Sequence, residues 1–357
     1  MKSIIVKPPK AGVEMVDLDL KEKLSAKYIL VKTIENGICG TDRGIANGNL
    51  SFARVPSGYD YLILGHETLG MVIEVGDEVK GIKKGDLVVP IVRRGCNNCL
   101  NCLAGRQDYC ETGQFSEIGI RGLHGTMREF FIDEEKNLVV LPKSLKEIGV
   151  LLEPLSNIVK TFEAVGLIQK RMIWNCQDSS FECRNAGIIG SGPIGLLFAL
   201  LSRSKGFNVY VMNKREPSSL EEQICNAIEA KFINMTKDEI PNFDLLIDTS
   251  GYPSAFIPLI DKINKNGLLV LFGTTSKDSH PLDTNLVNHI VESNITILGS
   301  VNASKNNFIE GVNLLSAWNN SYPELLKKLI TNKVKAEDAI PYILNKPKGE
   351  IKTVIIW

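Results

Sequence analysis

A glycine hexamer most constrains what this chain can fold into. Gly190-Ser191-Gly192-Pro193-Ile194-Gly195 has the spacing G-x-G-x-x-G. Ala186-Gly187-Ile188-Ile189 before it has the pattern of a short buried strand, and residues 195 to 204 after it have that of an apolar helix. The order strand, glycine turn, helix separates a dinucleotide-binding turn from a chance run of glycines. Gly190 makes the tight turn, Gly192 lets backbone N–H groups approach a pyrophosphate, and Gly195 lets helix and strand pack closely. The helix N-terminus adds partial positive charge for the phosphates. Further strand-like runs follow at 208–212, 243–248, 267–273 and 294–299, with helix-like stretches between them. That alternation predicts an α/β fold, a Rossmann doubly wound parallel sheet covered on both faces.

The strand after the glycine turn ends at Asn213-Lys214-Arg215. The residue at this point meets the adenine ribose; an Asp or Glu would hold a free 2′-hydroxyl. Two cations and a neutral amide favour a 2′-phosphate instead, so NADP is expected over NAD, with NAD also accepted. A solvated basic turn is the plainer alternative.

Residues 1 to about 145 read differently. Short β-branched runs at 28–32, 70–76 and 86–90 are punctuated by glycine and proline, the pattern of a β-rich, barrel-like domain. Residues 147–170 have helical spacing, and the last fifty residues read as helix ending in a strand at 352–357. The expected organisation is a β-rich catalytic domain over 1–184, a dinucleotide domain over 185–304, and a return to the first domain over 305–357. An apolar share of 44% is ordinary for a globular enzyme, and zero formal net charge offers no field for nucleic acid or an anionic membrane. No run approaches the roughly 20 apolar residues of a membrane helix, and the N-terminus lacks the apolar run of a signal peptide. The chain is read as cytoplasmic.

Four of the eight cysteines, Cys96, Cys99, Cys102 and Cys110, fall in one compact stretch. Without an export signal such a cluster points to a metal site rather than disulfides. Four thiolates can close a tetrahedral zinc with no open position, a structural site. An iron–sulfur cluster uses the same ligands and stays open as an alternative. Arg93, Arg94 and Arg106 nearby are expected to help stabilise the thiolates. A nucleic-acid zinc ribbon is disfavoured by the balanced charge. Cys39 in a glycine-flanked turn, the pair His66-Glu67, and Glu153 at a helix start together offer the ligands of a catalytic zinc with an open position. His124, bracketed by glycine, reads as a turn residue; His280 and His289 have no evident partners.

The stretch from Gly65 to Val79 resembles the signature of zinc-containing medium-chain alcohol dehydrogenases, as do the turn Gly37-Ile38-Cys39-Gly40-Thr41-Asp42 and the four-cysteine lobe. The resemblance covers the whole chain. Within that superfamily the chain is similar to archaeal-type glucose 1-dehydrogenases, on Cys39–Gly44, Arg93–Cys96, Glu117–Ile120, Asn213–Pro217 and Gly299–Asn302. The resemblance implies a GroES-like catalytic domain beside the Rossmann domain. It implies zinc on Cys39 and His66, with Glu67 and Glu153 as ligands directly or through water, and a proton relay at Thr41. Sugar contacts fall on Thr41, Glu117, Glu153, Asn157 and Asn302, and nicotinamide contacts on Phe272, Gly273, Thr274, Ser300, Val301 and Asn302. The implied reaction is oxidation of D-glucose, and of aldoses such as galactose, at C1 to the lactone, by a homo-oligomer taken as a tetramer. Another zinc-dependent polyol, alcohol or threonine dehydrogenase is the alternative. Val92 stands where some relatives carry Asn, and Glu153 and Asn157 replace an amide and an acid, so the sugar preference is open.

Overall fold

The computed structural model describes residues 1–20, 24–274 and 278–357. They form two compact units, Met1–Val159 with Asn302–Trp357, and Lys160–Val301.

The first unit is built around the long strand Tyr28–Gly37, whose alternating buried positions mark a strand with one face in a core. It pairs antiparallel with Glu67–Val75 on one side, and with Phe130–Glu134 and Lys352–Ile356 elsewhere along its length. Leu87–Pro90 and Leu138–Leu141 extend this sheet past Glu67–Val75. A second sheet joins Glu14–Asp17, Lys2–Val6 and Leu62–Ile63. A small third one, Arg93–Arg94, Ser116–Ile118 and Gly122–Leu123, sits at the base of the cysteine lobe. Ile4, Ile38, Leu62, Leu64, Met127 and Ile355 pack into one buried cluster beneath these sheets.

The second unit holds six parallel strands: β1 (Asn185–Ile189), β2 (Asn208–Asn213), β3 (Lys231–Asn234), β4 (Phe243–Asp248), β5 (Ile263–Leu271) and β6 (Thr296–Gly299). Their spatial order is β3-β2-β1-β4-β5-β6, the doubly wound dinucleotide arrangement. β4 is buried at every position, as a central parallel strand requires. The helix Pro193–Ser204 follows β1 directly and buries Gly195 through Ser202.

Two outcomes differ from the sequence expectation, and two features, the strand Lys231–Asn234 and one disulfide, lay outside it. The unit boundaries fall at 159/160 and 301/302 rather than 184/185 and 304/305. Lys160 and Thr161 bond Ser300, and Trp174, Phe181 and Phe207 stack together, so residues 160–184 pack with the second unit. Within the last fifty residues Ile330–Lys335 is a strand, not a helix, because it pairs in parallel with Lys352–Ile356. The disulfide that forms joins Cys176 to Cys183, outside the four-cysteine lobe. No helix among the described residues is long and apolar enough to cross a membrane.

Candidate active site and dinucleotide turn

Strand register brings the first cluster together. Gly37 pairs with Glu67 across the antiparallel ladder, so Cys39 and His66, just beyond the two strand ends, become neighbours. Ligand atoms of Cys39, His66 and Glu67 all lie within 4.8 Å of one another. A Cβ on Gly37 would overlap Glu67 Oε2, so the approach needs glycine there. Gly65 has φ +96°, and a Cβ on it would lie 2.6 Å from Met127 Cγ; this left-handed turn delivers His66.

Cys39 precedes the helix Gly40–Ala46, and its backbone N–H donates to Asp42 Oδ2 at 2.9 Å. The other carboxylate oxygen of Asp42 lies 3.4 Å from His66 Nδ1, with both side chains buried. Burial opposes protonation of His66, but Asp42 and then Cys39 outweigh it and hold its pKa well above the usual imidazole value. Among the described residues neither of those two atoms has a hydrogen-bond partner of good geometry. A carboxylate on one ring nitrogen is the arrangement that orients a metal-ligating histidine and leaves the second nitrogen for the metal. One sulfur, one imidazole and one carboxylate converging in this way fit a catalytic zinc with an open position.

Two participants escaped the sequence reading. Asp42 stands three residues after the N-cap Cys39, a capping spacing that could have marked it. Lys352, from the C-terminal strand, is buried; its ammonium donates to Glu67 Oε2 and, at 3.2 Å, to Ile38 O. Burial alone would lower its pKa, but Glu67 and Cys39 raise it. Nothing local in the sequence announces that contact.

Glu153 lies outside the group whose ligand atoms converge. Its pKa is pushed up to about 7, chiefly by burial; His66 opposes the rise and Glu67 adds to it. Asn157 Nδ2 donates to Glu153 Oε1 at 2.9 Å. Thr41 is the second residue of the helix that follows Cys39. Glu117 and Asn302, far apart in sequence, meet at 2.9 Å, and Arg93 donates twice to the same Glu117 oxygen. Both are buried rather than surface polar groups. His124 accepts from Ile63 N–H and stacks on Tyr61, in keeping with a turn residue.

Cys96, Cys99, Cys102 and Cys110 bring their sulfurs within 4.8 Å of one another, and none is in a disulfide. Cys96 and Cys102 sulfurs are 3.8 Å apart. Tetrahedral zinc–thiolate bonds of about 2.3 Å imply sulfur–sulfur edges of about 3.8 Å. Hydrogen bonds from Thr112 and from the Asn98 and Cys99 backbone hold the Cys96 pKa down to about 5; burial and neighbouring sulfurs push Cys102 up to about 12. Four thiolates this close repel one another unless a cation sits among them. The expected help from arginines takes another form: Arg93, Arg94 and Arg106 are committed to Glu117, Asp133 and Asp108.

In the second unit Gly190 has φ +106°, and Gly195 passes too close to Gly190 O for any Cβ. The turn thus presents backbone, as a pyrophosphate requires. Ser191 Oγ accepts from Asn213 Nδ2 at 2.8 Å, tying the turn to the end of β2. Arg215 donates through both terminal nitrogens to Glu221, each at 2.7 Å. Gly273 lies against the Gly251 backbone, Phe272 packs edge-on against Phe198, Val301 is exposed, and Ser300 bonds Thr161 at 2.7 Å. Thr274 is exposed beside them.

The lobe and the turn each yield a test. A Cβ on Gly95 would lie 2.5 Å from Cys102 Sγ and 2.9 Å from Gln107 Cβ. Gly95→Ala should therefore release metal from the lobe, read as about one fewer metal ion per chain by elemental analysis; unchanged content would refute the packing argument. Glu221 has its pKa lowered to about 2: burial opposes this, and Arg215, Ser191 and Ser218 overcome it. A depressed carboxylate stabilises the fold above its unfolded pKa and loses that contribution as pH falls through the folded value. The stability advantage of the wild type over Glu221→Gln should hold above about pH 4.5 and close toward about pH 2, as denaturant titrations would show; a pH-independent gap would contradict it.

Comparison with known proteins agrees with this architecture. Residues 146–356 match the family model described as glucose dehydrogenase C-terminus, and residues 25–143 match the alcohol dehydrogenase GroES-like domain. A glucose 1-dehydrogenase of Metallosphaera sedula is 53% identical, covering 100% of this chain and 99% of its own length. Glucose 1-dehydrogenase 2 of Saccharolobus solfataricus is 41% identical, with all of both chains covered. The crystal structure of Haloferax mediterranei glucose dehydrogenase in complex with NADP, Zn and gluconolactone is similar at a TM-score of 0.88 and 26% identity, covering 100% of this chain and 99% of that one. The chain belongs to the glucose dehydrogenase family of the medium-chain alcohol dehydrogenases.

Proposed function

We propose that this protein oxidises D-glucose at C1 to gluconolactone, with zinc at the Cys39 cluster and NADP as the preferred hydride acceptor. The observation that carries the reading is the convergence of Cys39, His66 and Glu67, drawn from separate strand ends, in a chain that also builds the glycine turn of a dinucleotide site. The relatives named above support the substrate. When bound, zinc supplies Lewis-acid polarisation of the C1 hydroxyl, and the nicotinamide takes the hydride from C1.

The chain's own residues do the rest. Cys39 and His66 hold the metal, and Asp42 keeps the imidazole ring oriented. Glu67, paired with Lys352, would hold the metal directly or through water and tune it. Thr41 relays the hydroxyl proton released as the lactone forms, its own hydroxyl hydrogen passing on toward solvent. Glu153, with its pKa near neutrality, can accept or donate a hydrogen bond to a sugar hydroxyl. Asn157, Glu117 and Asn302 complete the polar contacts, and a pocket built to satisfy hydroxyls rejects analogues that leave its groups unpaired. Galactose is included as a further aldose. Cys96, Cys99, Cys102 and Cys110 hold the second zinc, a structural one. Gly190 to Gly195 receive the pyrophosphate, and Asn213, Lys214 and Arg215, with no acid at the end of β2, receive the 2′-phosphate. Phe272, Gly273, Thr274, Ser300, Val301 and Asn302 line the nicotinamide.

The deciding experiment is steady-state kinetics on aldoses and polyols with both cofactors, on the wild type and on Cys39→Ser and His66→Ala. Glucose with NADP should give the highest kcat/KM. Each variant should lose about a thousandfold or more, since the polarisation is worth several kcal/mol, while the four-cysteine lobe keeps its metal. Full turnover in the variants, or activity on sorbitol or threonine but not aldoses, would overturn the reading.

We also propose that the chain assembles with copies of itself, as a tetramer. β6 ends the sheet order, and Ile297 on it is exposed together with Val287 and Val291 of the helix Thr284–Glu292. Such edges call for a cover. Sedimentation at the mass of one chain would refute this.

A further inference from the structure

We propose that Glu221 sets how strongly the adenine-ribose end of the dinucleotide site discriminates a 2′-phosphate from a 2′-hydroxyl, by holding the Arg215 guanidinium in place while offsetting its charge. The inference rests on the reading above that Asn213, Lys214 and Arg215 meet that ribose.

The observations are local to the second unit. Glu221 is buried, whereas half of the Arg215 side chain (53%) is exposed. Both terminal nitrogens of Arg215 donate to Glu221, at 2.7 Å each. This is the bidentate fork that fixes a guanidinium most firmly. The carboxylate cannot swing aside. It accepts from Ser218 N–H at 2.7 Å, and Glu221 N–H returns a bond to Ser218 Oγ at 3.2 Å, a complete capping box at the start of the helix Ser219–Ala227. On its other side Arg215 reaches Ser191 Oγ at 3.4 Å, the hydroxyl to which Asn213 also donates. The guanidinium is therefore aimed across the glycine turn by a carboxylate anchored in the helix behind it.

The consequence is electrostatic. Arg215 and Glu221 form a pair of zero net charge, and the terminal nitrogens of Arg215 already donate to Glu221, Glu216 O and Ser191 Oγ, so a 2′-phosphate meets little field from them. Lys214, exposed at the same turn, supplies the remaining positive charge, and Asp278 lies within electrostatic reach of it. A 2′-hydroxyl meets no buried cation left uncompensated. The arrangement accepts both dinucleotides and narrows the gap between them, and Glu221 is a positioning residue that does not itself touch the phosphate.

Glu221→Gln tests this. The amide keeps the capping box, since Gln serves at that position as well as Glu, and it can still bond the guanidinium, but the negative charge is gone. The ratio of kcat/KM for NADP over NAD should rise at least about fivefold, the lower end of ordinary coupling between sites, with the change carried by the KM for NADP. Adenosine 2′,5′-bisphosphate should bind tighter by a similar factor in calorimetry, while 5′-AMP binds as before. Glu221→Ala, which releases the guanidinium as well, should bind the bisphosphate more weakly than Glu221→Gln. An unchanged ratio, or a loss of NADP affinity in Glu221→Gln equal to that of Glu221→Ala, would overturn the proposal, the latter by making Glu221 a clamp only. If the wild type binds the bisphosphate no better than 5′-AMP, the assignment of the ribose end itself fails. The binding arm needs no sugar turnover, so failure of the substrate reading leaves it intact.

Discussion

The antiparallel pairing of Tyr28–Gly37 with Glu67–Val75 is the constraint on which the cluster of Cys39, His66 and Glu67 rests. A strand pair has a side-chain period of two, so a slip of one residue would turn every side chain to the opposite face. With Gly37 opposite Glu67, the thiol of Cys39 and the ring of His66 emerge side by side at the same end of the ladder. Gly37 lets Glu67 come in, and the positive φ of Gly65 aims the residue that follows it. The same strand also pairs with Lys352–Ile356, which is how a lysine near the C-terminus comes to lie against Glu67.

Around that cluster the charges are buried and matched. Asp42 answers His66, Lys352 answers Glu67, and Arg93 answers Glu117. Burying an ion costs several kcal/mol unless a partner and hydrogen bonds compensate it. Such pairs contribute little net stability, but removing one partner leaves the other stranded. Among the described residues Glu153 is bonded by the Asn157 amide rather than by a cation, and burial accordingly drives it toward its neutral form. A cluster with Glu67 paired to a lysine, Asp42 set against an imidazole and Glu153 with its pKa raised to about 7 is differentiated by environment alone, since the carboxylates are chemically alike.

The dinucleotide turn follows a different logic. Its tight places are backbone against backbone, Gly195 on Gly190 and Gly273 on Gly251, and they require the absence of side chains rather than their presence. One strand further on, polar side chains meet: Asn213 and Arg215 share Ser191 Oγ, and Glu221 backs the guanidinium. In the four-cysteine lobe the burden falls on spacing. Three cysteines at intervals of three, and a fourth eight residues on, bring four sulfurs together within one short loop.

Local pattern alone determined a good deal. Five of the six parallel strands, the glycine turn and the four-cysteine loop were legible because each depends on neighbours a few residues apart: periodicity, turn chemistry, ligand spacing; the short edge strand Lys231–Asn234 was not. So were Cys39, His66 and Glu67 as candidates, through the turn and strand motifs that carry them. Tertiary structure decided what meets across the chain. It placed Lys352 on Glu67, joined Asn302 to Glu117, left Glu153 outside the converging ligands, made a strand of Ile330–Lys335, and assigned residues 160–184 to the second unit. It also turned Arg93, Arg94 and Arg106 to carboxylates and set Glu221 behind Arg215. Those contacts depend on sheet register and on which charge finds which partner once water is excluded, and no single stretch of sequence contains both sides of such a contact.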